Sequence, residues 1–309
     1  MLFPILAAVV GALTSIQSRL NGQLSIDIHN GIAAALIAFA TGGAFVVAVC
    51  IFNPPDRQGL IDIWRALKNK KLKPWETIGG MGGGFFVAIQ SSVVPTIGVA
   101  IFTICTVGGQ TLSSMFVDFV GLSPSGRHRI TWVRSIAAIA TLLSVTVAVF
   151  PQLRSSTFKL TPIILAIAVG IVVSFQQALN GRTNVISRRP IATTLVNFAM
   201  GALVLIVALI INLSRGGSIG TLPHGPLVYL GGPIGVIFIA VSAYSVKHLG
   251  ILNFILYSVS GQLVGALLLD WLAPAAHTKI SAYLISGTAM TLIAVVSSRL
   301  FTLRKGVEV

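Results

Sequence analysis

Charged residues are scarce in this sequence, and acidic residues are scarcer still. Of the 309 residues, 9% are charged, with seven Asp and Glu against 21 Lys and Arg. A typical soluble domain has about 25% charged residues, so this composition excludes an ordinary soluble domain. The chain instead has 55% hydrophobic residues and a mean hydropathy of +0.93. Because one helical span needs roughly 20 consecutive apolar residues, and many such runs follow one another, we expect an all-α protein that crosses a membrane many times.

Residues that build catalytic or metal centres are also few. Cys50 and Cys105 both lie within apolar runs, which favours packing roles and no disulfide framework. The five histidines lie in connections or at span ends and form no H-E-x-x-H motif. An intramembrane enzyme would need an acid pair, a Ser/Lys or Ser/His dyad, or a metal cluster. We therefore expect no enzymatic activity, no metal and no cofactor.

The basic residues give a net charge of +14, but their positions do not indicate a nucleic-acid partner. They lie in the connections between apolar runs, as residues that orient membrane proteins do. When the connections are assigned to alternate sides, only Arg19, Arg154, Lys159, Arg215 and Lys279 fall on the less basic side. The other sixteen predict that both termini are cytoplasmic. The first residues lack the basic region of a signal peptide, so we interpret them as a retained first span in the cell (inner) membrane.

Apolar runs separated by breakers predict ten transmembrane helices. They lie near 2–24, 31–52, 76–94, 97–119, 130–150, 160–181, 190–212, 227–246, 250–272 and 280–302. Pro95 and Gly98 predict a tight turn between the third and the fourth. In the longest connection, 53–75, apolar residues at helical spacing predict a helix in the membrane interface, with Trp64 and Trp75 as anchors. A solvated charged loop is the alternative.

The end of the first predicted span recurs past the middle of the chain. IQSRLNGQL (16–24) and FQQALNGRT (175–183) share Gln-x-x-Leu-Asn-Gly, and identical residues continue at the same offset of 159 through the first two spans of each half. After a shorter connection the offset becomes 152, and it then pairs Gln110 with Gln262. The chain is therefore predicted to be one five-helix unit that has been duplicated.

The two repeats, residues 1–152 and 153–309, each contain five predicted spans. Because five is odd, the second repeat must enter the membrane from the opposite side, which makes an inverted-topology repeat. Many secondary transporters have this architecture and bind substrate near the midplane between the repeats. Two inverted copies can exchange conformations, so the outward-open and inward-open states have nearly equal energy. The repeat predicts a transporter, and a channel built on inverted repeats is the alternative.

The chain resembles the YdcZ-type branch of the drug/metabolite transporter superfamily over essentially its whole length. The resemblance rests on Gln-x-x-Leu-Asn-Gly at the end of the first span, on IAFATGG and VNFAMGA in the second span of each repeat, and on Gly-Gln in the fourth. It implies a ten-helix fold and the export or import of small polar or amphipathic metabolites. The small multidrug-exporting relatives keep a membrane Glu in the first helix for proton coupling. The first span here contains no acidic residue and departs from that pattern.

Amide side chains are the first candidates for a substrate site. Gln17 and Asn21 stand four residues apart and share a helix face, as do Gln176 and Asn180 in the second repeat. Amides bind polar substrates, but within membranes they also join helices through hydrogen bonds worth about 0.6–2 kcal/mol. Both interpretations stay open for these four residues. An Asn-Gly at a helix end also has a capping explanation.

Gln110 and Gln262 are the pair that we expect to line the cavity, because they lie well inside the fourth span of each repeat. Each follows a glycine, which lets another backbone or a ligand approach closely. Tyr244 is a further candidate to supply polarity. The glycine-rich stretch GGMGGGFF (79–86) lacks the Lys-Ser/Thr of a phosphate loop, and its spacing predicts close helix packing instead.

Asp118 and Asp270 are the only acidic residues well inside apolar stretches, and an acid within the membrane indicates function by default. The predicted topology puts Asp118 near the cytoplasmic end of its span and Asp270 near the outer end of its own. Arg182 and Arg19, respectively, lie near those same ends. These four residues are candidates for ion pairs or gates, and proton carriage by the two acids is the less favoured alternative.

Taken together, these features predict a secondary transporter that moves a small-molecule substrate across the lipid bilayer by alternating access. A channel, or a membrane scaffold that transports nothing, is the alternative, and an intramembrane enzyme is less favoured. The sequence names neither the substrate nor the direction of transport. It also leaves open the oligomeric state and whether a coupling ion such as the proton is used.

Overall fold

The computed structural model of the protein describes residues 2–122, 126–127, 132–153, 160–274 and 280–304. Within these ranges the regular secondary structure is helical, with no strand. The helices are α1 (Leu2–Asp27), α2 (Gly31–Phe52), α3 (Pro54–Lys68), α4 (Gly79–Val120), α5 (Trp132–Leu153), α6 (Thr161–Ser187), α7 (Pro190–Ser214), α8 (Gly231–Leu272) and α9 (Ala282–Arg304). Two short 3-10 turns, Pro74–Glu76 and Pro226–Leu230, precede α4 and α8.

Five helical stretches of the described chain are long and apolar enough to cross a membrane. They are α1, α2, the continuous stretch Pro74–Val120, α6 and α7. Shorter apolar helical stretches are Ser135–Pro151 in α5, Pro226–Ile239 at the start of α8 and Ala282–Ser297 in α9. Large apolar side chains such as Ile136 and Ile210 remain exposed on the outer faces of the helices, as they do where a protein meets lipid. The predicted class, an all-α membrane protein, is confirmed for the described residues.

Helices α1 and α6 run past the Asn-Gly motif that the sequence puts near their ends. α1 continues to Asp27, and α6 continues to Ser187. α6 ends where Arg188 adopts the left-handed conformation, with a φ of 51°. Asn21 and Asn180 therefore lie inside helices, so the capping interpretation of the motif is wrong.

Helix α4 reverses direction at Gly98, where the backbone leaves the helical region with φ 81° and ψ 165°, a conformation that glycine adopts without strain. The hydroxyl of Thr183 on α6 donates to the carbonyl of Glu76, just before α4, at 3.1 Å. The neighbouring Arg182 donates to the carbonyl of Gly121, just after α4, at 2.9 Å. Because both ends of α4 meet the same point of α6, α4 consists of two antiparallel segments. The predicted turn at Gly98 is confirmed.

Helix α8 folds back against α1 in the same way. A side chain at Gly231, the first residue of α8, would overlap the amide of Asn21. The carbonyl of Pro274, just after α8, accepts a hydrogen bond from Arg19 at 3.5 Å. Both ends of α8 therefore lie beside the same turn of α1, and the two segments of α8 are antiparallel.

The longest connection contains a helix, α3, so the alternative of a solvated loop is wrong. Ile63 is buried and packs with Ala192 at the start of α7. Trp64 is 61% exposed, and the Lys68 ammonium lies 5.3 Å from its ring centroid. The apolar face of α3 therefore packs on the protein, and Trp64 and the partly exposed Trp75 remain the candidates for anchors in the membrane interface.

The helices of the two predicted repeats interlock rather than form separate bodies. α1 packs mainly on α8, and α6 packs mainly on α4. α2 packs on α7, and α5 packs on α9. The largest hydrophobic cluster joins both repeats, with Val99 and Cys105 of α4, Val169 of α6 and Leu263 of α8. The first helix of each repeat is therefore held by both segments of the long helix of the other repeat.

Candidate functional site

The two repeats contact each other through equivalent pairs of residues. The Ser15 hydroxyl on α1 donates to the carbonyl of Gln262 on α8 at 2.9 Å. The Ser174 hydroxyl on α6 donates to the carbonyl of Gln110 on α4, also at 2.9 Å. The two serines are equivalent in the repeat, and so are the two glutamines. A two-fold relation between the repeats would give reciprocal contacts of this kind, and these contacts bring both predicted glutamines to the interface between the repeats.

Glycines let the helix backbones touch beside these glutamines. A side chain at Gly11 would overlap the carbonyl of Ser258, one turn before Gln262. A side chain at Gly170 would overlap the carbonyl of Thr106, one turn before Gln110. Membrane helices that approach this closely rely on small residues at their interface. Contact between backbones therefore fixes the two glutamines at equivalent places.

The side chains of Gln110 and Gln262 form no hydrogen bond with the residues that the structure describes, and both are partly buried. Burying an amide without a partner costs roughly 1–3 kcal/mol. Such a group persists inside a membrane protein where it meets water or a solute. Both amides are therefore available to a ligand, and their assignment to a substrate site stays a prediction.

The second repeat gathers its amides around Asn197 on α7. The Gln176 amide donates to Oδ1 of Asn197 at 3.1 Å, and the Asn180 amide donates to the same oxygen at 2.8 Å. These bonds join α6 to α7, which is the structural role that amides also have in membranes. Sequence reasoning missed Asn197, because its equivalent in the first repeat is Ala38 and the position is not a repeated polar one.

The first repeat uses its equivalent amides differently. The Asn21 amide donates to Oε1 of Gln90 at 3.1 Å, and the Gln90 amide donates to the Ser18 hydroxyl at 2.8 Å. Asn21 is fully buried, and its Oδ1 has no hydrogen-bond donor within the described chain. The Gln17 side chain, one turn earlier, is partly buried and forms no hydrogen bond with a described residue. Asn21 thus joins α1 to α4, whereas Gln17 remains available.

Arg182 binds both ends of α4. Its Nη1 forms an ion pair with Glu76 at 2.6 Å. Its Nε and Nη2 donate to the carbonyls of Leu122 and Gly121 at 2.7 and 2.9 Å. Sequence reasoning missed Glu76, because it lies in a charged connection outside the apolar runs. The pairing of Arg182 with Asp118 stays a prediction.

Asp270 caps the second segment of α4. Its two carboxylate oxygens accept hydrogen bonds from the backbone N–H groups of Val99 at 3.0 Å and Ala100 at 2.7 Å, the first residues after the turn at Gly98. N–H groups at the start of a helix have no acceptor within it, and a carboxylate there is favoured by the helix dipole. Arg19 also attracts the carboxylate electrostatically. The sequence identified Asp270 but not its backbone partners, which only the fold brings together.

Two cavities open near the end of the molecule that holds this carboxylate. One, of about 280 Å³, is lined by Arg19 of α1, by Val94 before the turn of α4 and by Pro274 after α8, among others. The other, of about 250 Å³, is lined by Asn30, Ser92 and Asn212, among others. Neither cavity is lined by any of the four predicted glutamines. Neither of these two cavities therefore coincides with the predicted glutamine positions.

Other kinds of site find no support in the part of the chain that the structure describes. No group of three or more His, Cys, Asp or Glu in it is placed to hold a metal ion. Cys50 and Cys105 are buried thiols. The side chain of Tyr244, predicted to add polarity, lies outside the described residues. The candidate site is therefore built from amides and helix backbones.

Known proteins resemble this chain in sequence and in fold. The family model "Putative inner membrane exporter, YdcZ" matches residues 2–147 and 161–297, in two parts, as expected of a fused form. One solved crystal structure is 18% identical, with 99% of this chain and 98% of that chain covered and a TM-score of 0.59, which shows a shared fold. No curated protein matches the sequence.

Proposed function

The chain belongs to the YdcZ family, whose members are described as inner membrane exporters, and we propose that it is a secondary transporter that moves a small polar or amphipathic metabolite by alternating access. Membership makes it a multi-pass membrane protein of a transporter family rather than of an enzyme family. The mechanism and the class of solute are the proposal. The observation that carries it is the reciprocal contact between repeats, from Ser15 to Gln262 and from Ser174 to Gln110.

The proposed arrangement has ten membrane spans in two inverted repeats. α4 and α8 contribute two spans each, because each folds back on itself, and α1, α2, α5, α6, α7 and α9 contribute one each. Residues 1–152 and 153–309 then hold five spans apiece, and an odd number gives the repeats opposite orientations. The charge asymmetry supports a cytoplasmic position for both termini and for α3. Two inverted copies of one unit open to either side with similar energy.

The proposed gates are the two arginines at opposite ends of the repeats. Arg182 holds α6 to the end of α4 through the carbonyl of Leu122, and Arg19 holds α1 to the end of α8 through the carbonyl of Pro274. Leu122 and Pro274 are equivalent in the repeat, so each arginine binds the same position of the opposite repeat. Alternating access requires one of these contacts to open while the other stays closed.

The proposed substrate site lies between the repeats at Gln110 and Gln262, with Gln17 nearby. All three are neutral amides that form no hydrogen bond with a described residue. A site of neutral amides suits an uncharged or zwitterionic polar solute better than a strongly cationic one, because a net charge would be desolvated without a partner.

Counterflow in proteoliposomes tests this function. Vesicles containing the purified protein are loaded with an unlabelled solute, and uptake of the same radiolabelled solute is followed for L-serine, L-glutamine and glycerol. A transporter that works by alternating access gives saturable, transient accumulation above the external concentration. A channel gives equilibration without accumulation, and a scaffold gives no flux above protein-free vesicles. Either of these two results contradicts the proposal.

A further inference from the structure

Gln17 and Gln176 are equivalent residues of the two repeats, and each packs against an equivalent stretch of backbone. Gln17 lies against Gly235 of α8, and Gln176 lies against Gly83 of α4. These two glycines are themselves equivalent, 152 residues apart. Any difference between the two glutamines therefore comes from the neighbouring side chains and not from the path of the helices.

The neighbour that differs is the residue at positions 38 and 197. Ala38 and Asn197 occupy equivalent places, because a side chain at Gly232 would meet the carbonyl of Ala38 and one at Gly80 would meet the carbonyl of Asn197. Asn197 accepts a hydrogen bond from Gln176 at 3.1 Å. The alanine has no side-chain acceptor to offer the first repeat. The same position thus closes the amide cluster in one repeat and leaves it open in the other.

As a result, two polar side chains on α1 have atoms without a hydrogen-bond partner in the described chain. The Gln17 amide has no partner in the described chain, and neither does Oδ1 of Asn21, one turn later on the same helix face. Gly235 and Gly231 border these two amides and carry no side chain that could bond to them. Unpaired amides are costly in an apolar interior. Asn21 is fully buried, whereas Gln17 is only partly buried, so the Gln17 amide is the one on this face that a solute can reach.

We propose that the substrate site at Gln110 and Gln262 extends to one side only, with Gln17 of the first repeat as a further polar contact for the solute. Asn197 withdraws Gln176 and Asn180 from the site by bonding to both. The inference rests on the proposed function and sharpens it. It also departs from a symmetric site, in which Gln17 and Gln176 would contribute equally.

The chemistry of the free groups indicates which solutes fit. A glutamine side chain suits a solute that both donates and accepts hydrogen bonds, such as a zwitterion or an alcohol. The Gln17 amide offers both a donor and an acceptor. Position 38 is expected to influence which solutes bind. An asparagine there would accept a hydrogen bond from Gln17, as Asn197 does from Gln176, and Gln17 would no longer be available to the solute.

Thiol labelling compares the accessibility of positions 17 and 176 and needs no substrate. Gln17→Cys and Gln176→Cys form a matched pair, and the probe is the water-soluble reagent 2-(trimethylammonium)ethyl methanethiosulfonate. The wild type, with its buried Cys50 and Cys105, sets the baseline, and size-exclusion chromatography confirms that each variant is folded. We expect Gln17→Cys to react roughly tenfold faster than Gln176→Cys, a ratio that corresponds to about 1.4 kcal/mol. Equal rates, or faster labelling of Gln176→Cys, would overturn the inference.

A further substitution makes one position of the second repeat match the first repeat. Asn197→Ala reproduces the residue found at position 38 and removes the side chain that borders Gly83 beside position 176. Adding it to Gln176→Cys should therefore bring the labelling rate close to that of Gln17→Cys. An unchanged rate contradicts the inference, because Asn197 would then not be what limits access to position 176.

Counterflow gives an independent reading of the same difference. Gln17→Leu should lose the transport of whichever of L-serine, L-glutamine and glycerol the wild type carries, while Gln176→Leu should keep it. The reverse pattern overturns the inference. If the wild type carries none of the three solutes, the proposed function fails for them, and the labelling rates still decide whether the site is one-sided.

Discussion

Phe39 and Phe198 are equivalent residues of the two repeats, and their rings pack against each other with centroids 5.0 Å apart. Residues related by a two-fold axis touch each other only where they lie beside that axis. If the proposed two-fold axis relates the repeats, it therefore passes between α2 and α7, beside this pair of rings. Glycines complete the contact, because a side chain at Gly42 would overlap the ring of Phe198 and one at Gly201 would overlap the ring of Phe39.

Replacing either phenylalanine with alanine should destabilise the protein by a similar amount, about 3 kcal/mol, because each variant loses a packed ring in an equivalent place. The double variant should cost less than the sum of the two, by about 0.5–1.5 kcal/mol, since the contact between the rings is lost only once. Free energies of unfolding in detergent micelles measure both effects. Strictly additive losses at Phe39 and Phe198 would show that the rings do not interact.

Both termini and α3 are expected on the cytoplasmic side, because the basic connections lie there. Lys70, after α3, and Ser218, after α7, are exposed test points in connections on opposite sides. In spheroplasts, Ser218→Cys should react with a membrane-impermeant maleimide at once. Lys70→Cys should react only after the membrane is permeabilised. The opposite labelling pattern would invert the proposed topology.

Local features of the sequence predicted much of the helical framework. Apolar runs and breakers are properties of neighbouring residues, so the helices and the turn at Gly98 could be read directly. The ends of α1 and α6 could not, because an Asn-Gly motif ends a helix only where the backbone turns into the left-handed conformation. Here Asn21 bonds to Gln90, and Asn180 bonds to Asn197. Because these side chains bond to other helices, α1 and α6 continue past the motif.

The repeat also limited what the sequence could reveal about the site. It identified residues that recur, such as Gln110 and Gln262, because identity at a fixed offset stands out. It hid residues that differ between the repeats, such as Asn197, whose equivalent is Ala38. It likewise gave no sign of Glu76, whose ion pair with Arg182 depends on a fold that brings the start and the end of α4 together.

The two arginines should control opposite ends of the molecule. Val94→Cys, beside Arg19, and Thr183→Cys, beside Arg182, are buried reporters of the two ends. Arg19→Ala should speed labelling of Val94→Cys by a water-soluble thiol reagent and leave Thr183→Cys unchanged. The interactions that are lost, with Pro274 and with the Asp270 carboxylate, both lie at the end that holds Val94. Arg182→Ala should do the reverse.

Arg188→Ala provides the control for the arginine variants. It removes the same charge from an exposed position that directly follows α6. It should change neither labelling rate. Arginine variants that speed both reporters equally would indicate general loosening of the protein and would contradict separate gates.

Asp270→Ala should destabilise the fold by about 1–2 kcal/mol, as the loss of a helix cap does, because the N–H groups of Val99 and Ala100 lose their acceptor. Asp118 is its equivalent in the first repeat, so Asp118→Ala should have an effect of similar size if the symmetry extends to this cap. Asp62→Ala on α3 serves as the control and should cost little. Thermal unfolding in detergent ranks the three variants, and a negligible effect of Asp270→Ala would contradict the capping role.

Gln110 and Gln262 lie at matching depths in their helices. Each stands ten residues before the end of its helix, at Val120 or Leu272, which is about 15 Å at 1.5 Å per residue. That is half of a hydrocarbon core of about 30 Å, so both amides should lie near the midplane of the membrane. A solute bound between the repeats would meet them there, whereas a leucine in either place offers it no hydrogen bond.

Replacing both glutamines with leucine should abolish solute binding and leave the protein folded, because neither side chain bonds to a described residue. Counterflow measures the loss of transport, and size-exclusion chromatography checks the fold. Gln177→Leu is the matched control, since Gln177 is exposed on α6 and should not matter for transport. A double variant that transports at the wild-type rate would remove Gln110 and Gln262 from the site. A double variant that is inactive and also unfolded would instead assign the two amides to helix contacts.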